Sequence, residues 1–166
     1  MKSVCPHEWW EKQESRIEIV SGNICAEHLG LDEALYTSLA ARVTHIIHSA
    51  AMVKFSAPIE KARAINVEGT KHVLAFGRRA QECGSLQRFA YISTAYVSGF
   101  REGIIYQDEL LPAALFANSY EQAKHEAEAQ VRTQMAFLSI SIFRPSIIVG
   151  DSKTGKTMSF NVVYPP

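Results

Sequence analysis

The sequence predicts an α/β fold built on a parallel sheet, because short apolar segments alternate with longer amphipathic ones. The short segments predict strands at residues 16–20, 43–48, 88–92 and 138–143. The stretches between them show the apolar spacing of helices of ten or more residues. Strands that alternate with helices in this way form βαβ units, and right-handed crossovers then bring every strand-to-helix loop to one edge of the sheet.

The first half of the chain supplies two of these strands and two helices. Residues 16–20 alternate in polarity and are β-branched, and Ser21-Gly22-Asn23 ends the strand. Residues 29–41 carry apolar side chains at helical spacing, with two acidic residues near the start. The strand at 43–48 follows, and a long helical pattern then covers residues 58–79.

The second half is organised around a helix predicted from Asn118 to about Met135. Asn118 is a good N-cap, and Glu121 stands three residues later, as a capping box requires. In this helix Tyr120 and Lys124 lie one turn apart on the same face. A lysine ammonium beside a phenol favours the phenolate, so the pattern predicts a lowered pKa for Tyr120 and a role in proton transfer at a carbonyl or hydroxyl.

The composition is that of an ordinary globular protein with one hydrophobic core. The chain is 47% hydrophobic and 20% charged with a formal net charge of zero, which gives no indication of nucleic acid or an anionic membrane as a partner. Its three cysteines are scattered and form no C-x-x-C pair, which indicates a reducing compartment. With no signal peptide pattern and no apolar run of membrane-spanning length, we expect a cytoplasmic protein. No linker or repeat divides it, so one domain is predicted over residues 1–166, with its core at about 16–162.

The strand-to-helix loops predict where this protein binds a ligand. They contain Gly22-Asn23, Ser49-Ala50-Ala51, Ser93-Thr94 and Pro145-Ser146. Open α/β sheets bind ligands at the carboxyl edge of their strands, and small residues there permit a close approach of the ligand.

Several short motifs occur in order along the chain. They are Val20-Ser21-Gly22-Asn23-Ile24 with Leu29-Gly30-Leu31, His48-Ser49-Ala50-Ala51, Asn66-Val67-Glu68-Gly69-Thr70, Tyr91-Ile92-Ser93-Thr94-Ala95-Tyr96-Val97, Tyr120-x-x-x-Lys124, and Arg144-Pro145-Ser146 through Ser152. Together they resemble extended short-chain dehydrogenases/reductases, and more narrowly the thioester reductase and fatty acyl-CoA reductase (male sterility) branch. The resemblance covers residues 17–162 or so. It implies a partial NAD(P)-binding domain: a Rossmann-like, doubly wound parallel sheet that lacks the first βαβ unit.

The resemblance also implies a reaction and the residues that perform it. Thr94, Tyr120 and Lys124 would be the catalytic residues, with Tyr120 as the general acid that protonates a carbonyl oxygen as hydride arrives. Lys124 would hold the nicotinamide ribose, and Thr94 would hydrogen-bond the substrate oxygen. The cofactor would be NADPH or NADH, and the substrate an acyl thioester on coenzyme A or a carrier protein, reduced to an aldehyde or an alcohol.

The remaining implied contacts belong to the cofactor. Asn23 would lie at the adenine edge, Ala50 and Ala51 on the adenosine side, and Asn66 would support the site from its helix. The full set implied to bind the cofactor is Asn23, Ile24, Ser49, Ala50, Ala51, Ser93, Tyr120, Lys124, Pro145 and Ser146.

Two departures from the family pattern leave a second interpretation open. Asn23 stands where the family has an aspartate, and no Gly-x-Gly-x-x-Gly occurs, since none of the nine glycines is two residues from another. That fingerprint holds a pyrophosphate at a helix N-terminus. A non-catalytic fragment of such a reductase, lacking both ends, is therefore the alternative. A sheet without its first strands would also expose an unpaired edge, through which copies could self-associate.

A third interpretation rests on residues 150–157, which match the Walker A pattern in full after an apolar segment. A P-loop of this kind would cradle nucleotide phosphates with backbone amides and Lys156.

The histidines and the helix carboxylates receive structural interpretations. His45 and His48 are three residues apart in a strand, so we expect them to face opposite sides, and no histidine shows metal-ligand spacing. Glu121, Glu126 and Glu128 are expected to form a solvated helix face.

Overall fold

The computed structural model describes residues 12–111 and 115–156. The chain divides into two compact units, one made of residues 1–21 and 147–166 and the other of residues 22–146. The larger unit contains the sheet, the helices that pack on it and most of the predicted site. That the whole chain is one domain stays a prediction.

Three parallel strands form the sheet, in the order β1–β2–β3. They are β1, His45–His48; β2, Arg88–Ile92; and β3, Ile140–Phe143. In the sheet register His48 pairs with Tyr91, and Tyr91 pairs with Ile142. The α/β class and the parallel sheet are therefore confirmed, together with three of the four predicted strands.

Helices connect the strands as the sequence predicted. They are α1, Glu33–Arg42; α2, Ile59–Arg63; α3, Gly69–Glu82; and α4, Ser119–Gln134, with short 3-10 helices at Glu27–Gly30 and Ala95–Ser98. A single π-helical turn, Ala64–Glu68, joins α2 to α3, and after it the amide of Gly69 donates to the carbonyl of Ala64. Across the described ranges, no helix combines the length and the apolar character needed to cross a bilayer.

The hydrophobic core lies on one face of the sheet. Phe89 and Tyr91 of β2 are 0% and 1% exposed, and they join side chains of α1, α3 and α4 in one apolar cluster. On the opposite face Ile47 is 74% exposed and Phe143 is 52% exposed. β1 is an edge strand within the described ranges. This edge is the place where the sequence predicted self-association, which itself stays a prediction.

The prediction of a strand at residues 16–20 is wrong. Residues 17–20 join no sheet ladder with any described residue, and Ile19 is 89% exposed. Alternation and β-branching favour an extended backbone, yet a strand also needs a partner whose backbone completes its hydrogen bonds.

The helix predicted at residues 29–41 begins later, at Glu33. His28, Leu29 and Gly30 have φ angles of 51°, 59° and 70°, which a right-handed helix cannot accommodate. Asp32 then provides the N-cap, since its side chain accepts the amide of Leu35 at 2.8 Å. The apolar spacing was correct, but left-handed backbone and a strong cap moved the start.

The cap predicted for α4 is confirmed. The Oδ1 atom of Asn118 accepts the amide of Glu121 at 3.0 Å. The Glu121 carboxylate reaches back and accepts from the Nδ2 of Asn118 at 2.9 Å and from the amide of Ala117 at 3.0 Å. These contacts fix the first turn of α4, which carries Tyr120.

We expect Asn118→Ala to lower the free energy of unfolding by about 1 kcal/mol, because an amide at the N-terminus of α4 loses its acceptor. Urea unfolding followed by circular dichroism would measure it. Asn118→Ser is the matched control, since a serine hydroxyl also caps a helix and should retain most of the stability. Equal losses in the two variants would show that the side-chain cap is not the cause.

Candidate functional site

The three predicted catalytic residues come together where β2 ends and α4 begins. Thr94 follows β2, is 5% exposed, and accepts the amide of Tyr96 at 3.3 Å with its side-chain oxygen. Tyr120 lies in the first turn of α4 and hydrogen-bonds the Thr94 side chain. Lys124 lies one turn further along α4 and is 3% exposed. The hydroxyls of Thr94 and Tyr120 are therefore adjacent, as hydrogen-bonding to one substrate oxygen requires.

The Lys124 ammonium is held by groups of β2. Its Nζ donates to the Tyr91 hydroxyl at 2.9 Å and to the carbonyl of Ile92 at 2.7 Å. Burial lowers the pKa of Lys124 to about 8, although Glu128 acts in the opposite direction. Lys124 therefore carries its charge at neutral pH and loses it within a mildly alkaline range.

The predicted lowering of the Tyr120 pKa is wrong. Burial raises the pKa of Tyr120, and the hydrogen bond with Thr94 only partly opposes this effect. Lys124 donates to Tyr91 and Ile92 instead of to Tyr120, so its charge does not favour the phenolate. Tyr120 is consequently a neutral phenol at neutral pH, which is the protonation state that a general acid needs.

The loop after β1 packs against the start of α4. The Ser119 hydroxyl donates to the carbonyl of Ala57 at 2.6 Å, which ties residues 55–57 to the helix. The ring of Phe55 lies 5.6 Å from the ring of Tyr120, measured between centroids. Tyr120 is therefore half-buried against this loop, with its hydroxyl toward Thr94.

The ends of β2 and β3 bring three further predicted residues to the same edge of the sheet. The amide of Ser93 donates to the carbonyl of Phe143 at 2.7 Å, and the amide of Ala95 donates to the carbonyl of Pro145 at 3.0 Å. Ser93 is buried, Pro145 is half-buried and Ser146 is exposed. The carboxyl edge of the sheet thus collects these three residues beside Thr94, as the crossover argument predicted.

The loop that follows β1 presents small side chains to solvent. Ser49 and Ala50 are exposed and Ala51 is half-buried. Behind them Asn66, which is 2% exposed, accepts the amide of Met52 at 2.7 Å and donates to the carbonyl of Met52 at 3.1 Å. Asn66 therefore fixes the loop by bonding both backbone groups of one residue.

Asn23 and Ile24 lie in a separate turn. The Asn23 side chain accepts the amide of Cys25 at 3.0 Å, and the residue is exposed. Ile24 packs on Gly69, where an added Cβ would be 2.9 Å from the Ile24 Cδ1. The carbonyl of Ile24 accepts from the Nδ1 of His72 at 2.7 Å. None of the described contacts joins Asn23 or Ile24 to the three predicted catalytic residues.

The prediction of a solvated carboxylate face on α4 is wrong for Glu121 and Glu128, while Glu126 is partly exposed. Glu128 is 0% exposed, and its carboxylate accepts from the Ser93 hydroxyl at 2.6 Å, from Arg132 at 2.9 Å and from Arg144 at 2.6 Å and 3.0 Å. Glu121 is also buried, at 8%. The only local signal was the i, i+4 spacing of Lys124, Glu128 and Arg132. The second arginine comes from the end of β3 and could not be found by local spacing.

This Glu128 cluster, made of Glu128, Ser93, Arg132 and Arg144, also holds a loop. Arg144 donates to the carbonyl of Glu109 at 2.7 Å, and Arg132 donates to the carbonyl of Asp108 at 2.8 Å. The cluster therefore joins α4, the ends of β2 and β3, and the segment that leads toward Tyr120.

The predicted histidine geometry is confirmed. His45 is exposed, and His48 on the other face of β1 is 4% exposed with its Nε2 atom 3.0 Å from the Thr70 hydroxyl. Burial, and then the charge of Lys124, lowers the pKa of His48 to about 4, so it is neutral at physiological pH.

The candidate P-loop does not have the geometry of a phosphate cradle. The carboxylate of Asp151 accepts the amides of Lys153 at 3.1 Å and Thr154 at 2.7 Å, which are donors that a phosphate would need. The amide of Asp151 donates to the carbonyl of Lys156 at 2.9 Å, which closes the turn on itself. Residues 150–156 begin no helix, and Thr157 lies outside the described residues.

Comparison with known proteins gives a consistent result. Residues 2–165 match the profile of an NAD-binding family described as Male sterility protein. The chain is 32% identical over 151 residues to a non-canonical nonribosomal peptide synthetase of Aspergillus campestris, covering 85% of this chain and 14% of that protein. It is 27% identical over 191 residues to the fatty acyl-CoA reductase wat of Drosophila melanogaster, covering 100% of this chain and 35% of that protein.

A solved structure supports the same relationship. The terminal R domain from the myxalamid biosynthetic pathway superimposes with a TM-score of 0.78 at 34% identity, over 87% of this chain and 37% of that one. The chain thus spans less than half the length of each of these relatives.

Proposed function

Because the chain belongs to the Male sterility protein family, which includes fatty acyl-CoA reductases and terminal reductase domains of peptide synthetases, we propose that it contributes the catalytic residues of an NAD(P)H-dependent reductase of acyl thioesters. The thioester would be carried by coenzyme A or a carrier protein. Hydride and a proton would convert it to a hemithioacetal that releases the free thiol of the carrier and leaves an aldehyde, and a second hydride from a second reduced cofactor would give an alcohol. One observation supports this most directly: Thr94, Tyr120 and Lys124 converge at the carboxyl edge of the sheet.

The residues around this edge suit a nicotinamide nucleotide. Ser49 and Ala50 are exposed and small, so they would leave space for a cofactor to approach the loop after β1. Asn66 holds this loop in place through Met52. The Lys124 ammonium donates one hydrogen bond to Tyr91 and one to Ile92. Among the described residues, none accepts its third N–H. That third N–H is available to a ribose hydroxyl. When bound, the reduced cofactor would supply hydride to the carbonyl carbon.

Tyr120 and Thr94 would act on the substrate oxygen. The two adjacent hydroxyls would both donate to the carbonyl oxygen, which places hydrogen bonds where negative charge develops. Tyr120 would then give its proton to that oxygen as hydride reaches carbon. The raised pKa of Tyr120 keeps this proton in place until negative charge appears on the substrate oxygen.

We expect NADPH to bind saturably, and Lys124→Met to weaken binding roughly 10- to 100-fold, because a hydrogen bond to a charged group contributes about 1.5–3 kcal/mol. Nicotinamide fluorescence during titration of the purified chain would measure this. Affinity should also decrease as the pH rises through about 8, since Lys124 loses its charge there. Binding that stays constant across that range would exclude a role for the ammonium.

Two controls separate the interpretations. Lys71→Met removes a half-exposed lysine that pairs with Glu68, and it should leave NADPH affinity unchanged. ATP with magnesium tests the Walker A pattern, and we expect no binding there because Asp151 occupies the amides. A folded chain that binds neither NADPH nor NADH would contradict the proposal and favour a non-catalytic fragment.

A further inference from the structure

A line of buried polar side chains runs from Lys124 through the core of the protein. Tyr91 and Thr70 are each 1% exposed, His48 is 4% exposed and Asn66 is 2% exposed. The buried polar line is defined as these four residues together with Lys124. Polar groups buried this deeply are stable only where their hydrogen bonds are satisfied, so each donor in the line needs an acceptor.

The hydrogen bonds between His48, Thr70 and Asn66 have a determined direction. Thr70 donates its proton to the carbonyl of Asn66 at 2.6 Å, so its oxygen can only accept from other groups. His48 Nε2 lies 3.0 Å from that oxygen and must therefore carry a proton, which fits a neutral imidazole. The ring of Tyr91 lies 5.7 Å from the ring of His48, measured between centroids, and an interaction with the Thr70 side chain lowers the pKa of Tyr91 against the larger effect of burial.

This arrangement fixes the role of the Tyr91 hydroxyl. The Tyr91 oxygen accepts from Lys124, whose Nζ donates to it at 2.9 Å. The Lys124 nitrogen also lies 4.3 Å from the centroid of the Tyr91 ring. The far end of the line is the Asn66 side chain, which bonds the amide and carbonyl of Met52.

We infer that Tyr91 is a positioning residue for Lys124, and that the buried polar line joins Lys124 to the loop at Met52. The inference rests on the proposed function, because it assigns the two ends of the line to the two sides of one cofactor site. Lysine has a flexible stem with several rotatable bonds, and two fixed acceptors leave its third N–H in one direction. Disruption of the line should therefore affect the ammonium even though Tyr91 touches neither substrate nor cofactor.

The first test measures the ionisation of Lys124 in Tyr91→Phe, which deletes one oxygen and keeps the ring. Carbon-13 NMR of ε-labelled lysine, assigned with Lys124→Met, would report its pKa. The titratable groups that act on Lys124 are Tyr91, His48 and Glu128. Since the lost hydrogen bond favours the charged form, we expect a decrease of roughly 0.5–1 pH unit. Tyr36→Phe removes another buried tyrosine hydroxyl, 6% exposed, and should leave the titration unchanged.

A second variant tests the line beyond Tyr91. Thr70→Val removes, at nearly constant volume, the hydroxyl that bonds His48 and acts on Tyr91. We expect a smaller shift of the Lys124 pKa in the same direction, while Thr70→Ser should restore the wild-type value. These variants also serve if Tyr91→Phe does not fold. An unchanged Lys124 titration in folded Tyr91→Phe, or in Thr70→Val, would overturn the inference and leave Tyr91 as a packing residue.

The readout is independent of the proposed function. A failure to bind NADPH would contradict the proposed function, but it would leave the NMR titration fully interpretable. In a chain that does bind NADPH, we expect Tyr91→Phe to weaken binding about 3- to 10-fold through the loss of one ordering hydrogen bond, and Tyr36→Phe to have no effect.

Discussion

Tyr120→Phe is expected to lower kcat for thioester reduction by roughly 10²- to 10⁴-fold, the range that general acid catalysis contributes. The phenylalanine ring keeps the contact with Phe55, so the change removes the proton donor and little else. Single-turnover oxidation of NADPH with an acyl-coenzyme A substrate would measure the chemical step directly.

The affinity for NADPH should change little in the same variant, which separates loss of chemistry from loss of binding. Tyr106→Phe is a suitable control, because Tyr106 is 59% exposed and its hydroxyl should not affect turnover. A Tyr120→Phe protein that retains wild-type turnover would require another acid and would remove the central element of the mechanism.

Glu128→Ala should destabilise the protein by about 3–5 kcal/mol, because removal of one partner of a buried ion pair leaves the other charges uncompensated. The Arg144 side chain is 14% exposed and the Glu128 side chain 0%, so solvent cannot replace the lost carboxylate effectively. Guanidinium unfolding would measure the loss. It should appear as a lower midpoint at constant slope.

Glu126→Ala provides the matched control on the same helix. Glu126 pairs with Arg63 at 2.7 Å, but their side chains are 30% and 45% exposed, so we expect a loss of only about 0.2–1 kcal/mol. Similar losses in the two variants would show that burial of the Glu128 cluster adds no stability.

The Glu128 cluster should also make the stability of the protein depend on pH in the acid range. Burial alone would raise the pKa of Glu128, but hydrogen bonds from Arg144, Ser93 and Arg132 outweigh burial and hold it below its ordinary value of 4.5. A carboxylate whose pKa is lower in the folded state contributes stability above its unfolded pKa and loses it as the pH falls through the folded one. Wild type should therefore lose stability more steeply below pH 4.5 than Glu128→Ala does.

The sequence predicted the elements whose signals are local. The Asn118 cap, the strand at 88–92 and the pairing of Tyr120 with Lys124 on one helix face depend on residues within a few positions of each other. The strand at 16–20 failed because strand formation depends on a partner that alternation does not reveal. The helix start near residue 29 failed because left-handed backbone at His28 and Leu29 has no compositional signal.

The predicted site failed where two distant segments meet. Lys124 was expected to act on Tyr120, yet the acceptors that hold its ammonium come from β2. Glu128 was expected to be solvated, yet it is buried against Ser93 and Arg144, which directly follow β2 and β3. Charged residues on a helix are normally solvent-exposed, and only the tertiary arrangement shows which ones are enclosed.

Because of the π-helical turn at Ala64–Glu68, the packing of this helical segment depends on its exact number of residues. An α-helix rotates by about 100° for each residue, so one residue more or less upstream of Thr70 changes the phase of everything beyond it. Asn66 and Thr70 are neighbours in the buried polar line, and Ala62 before the turn is fully buried. Substitutions within this turn keep the number of residues and therefore the helix face on which Thr70 lies. A deletion would rotate the buried side chains after it by about 100° and break their contacts. The segment therefore acts as a spacer of fixed length between two halves of one helix.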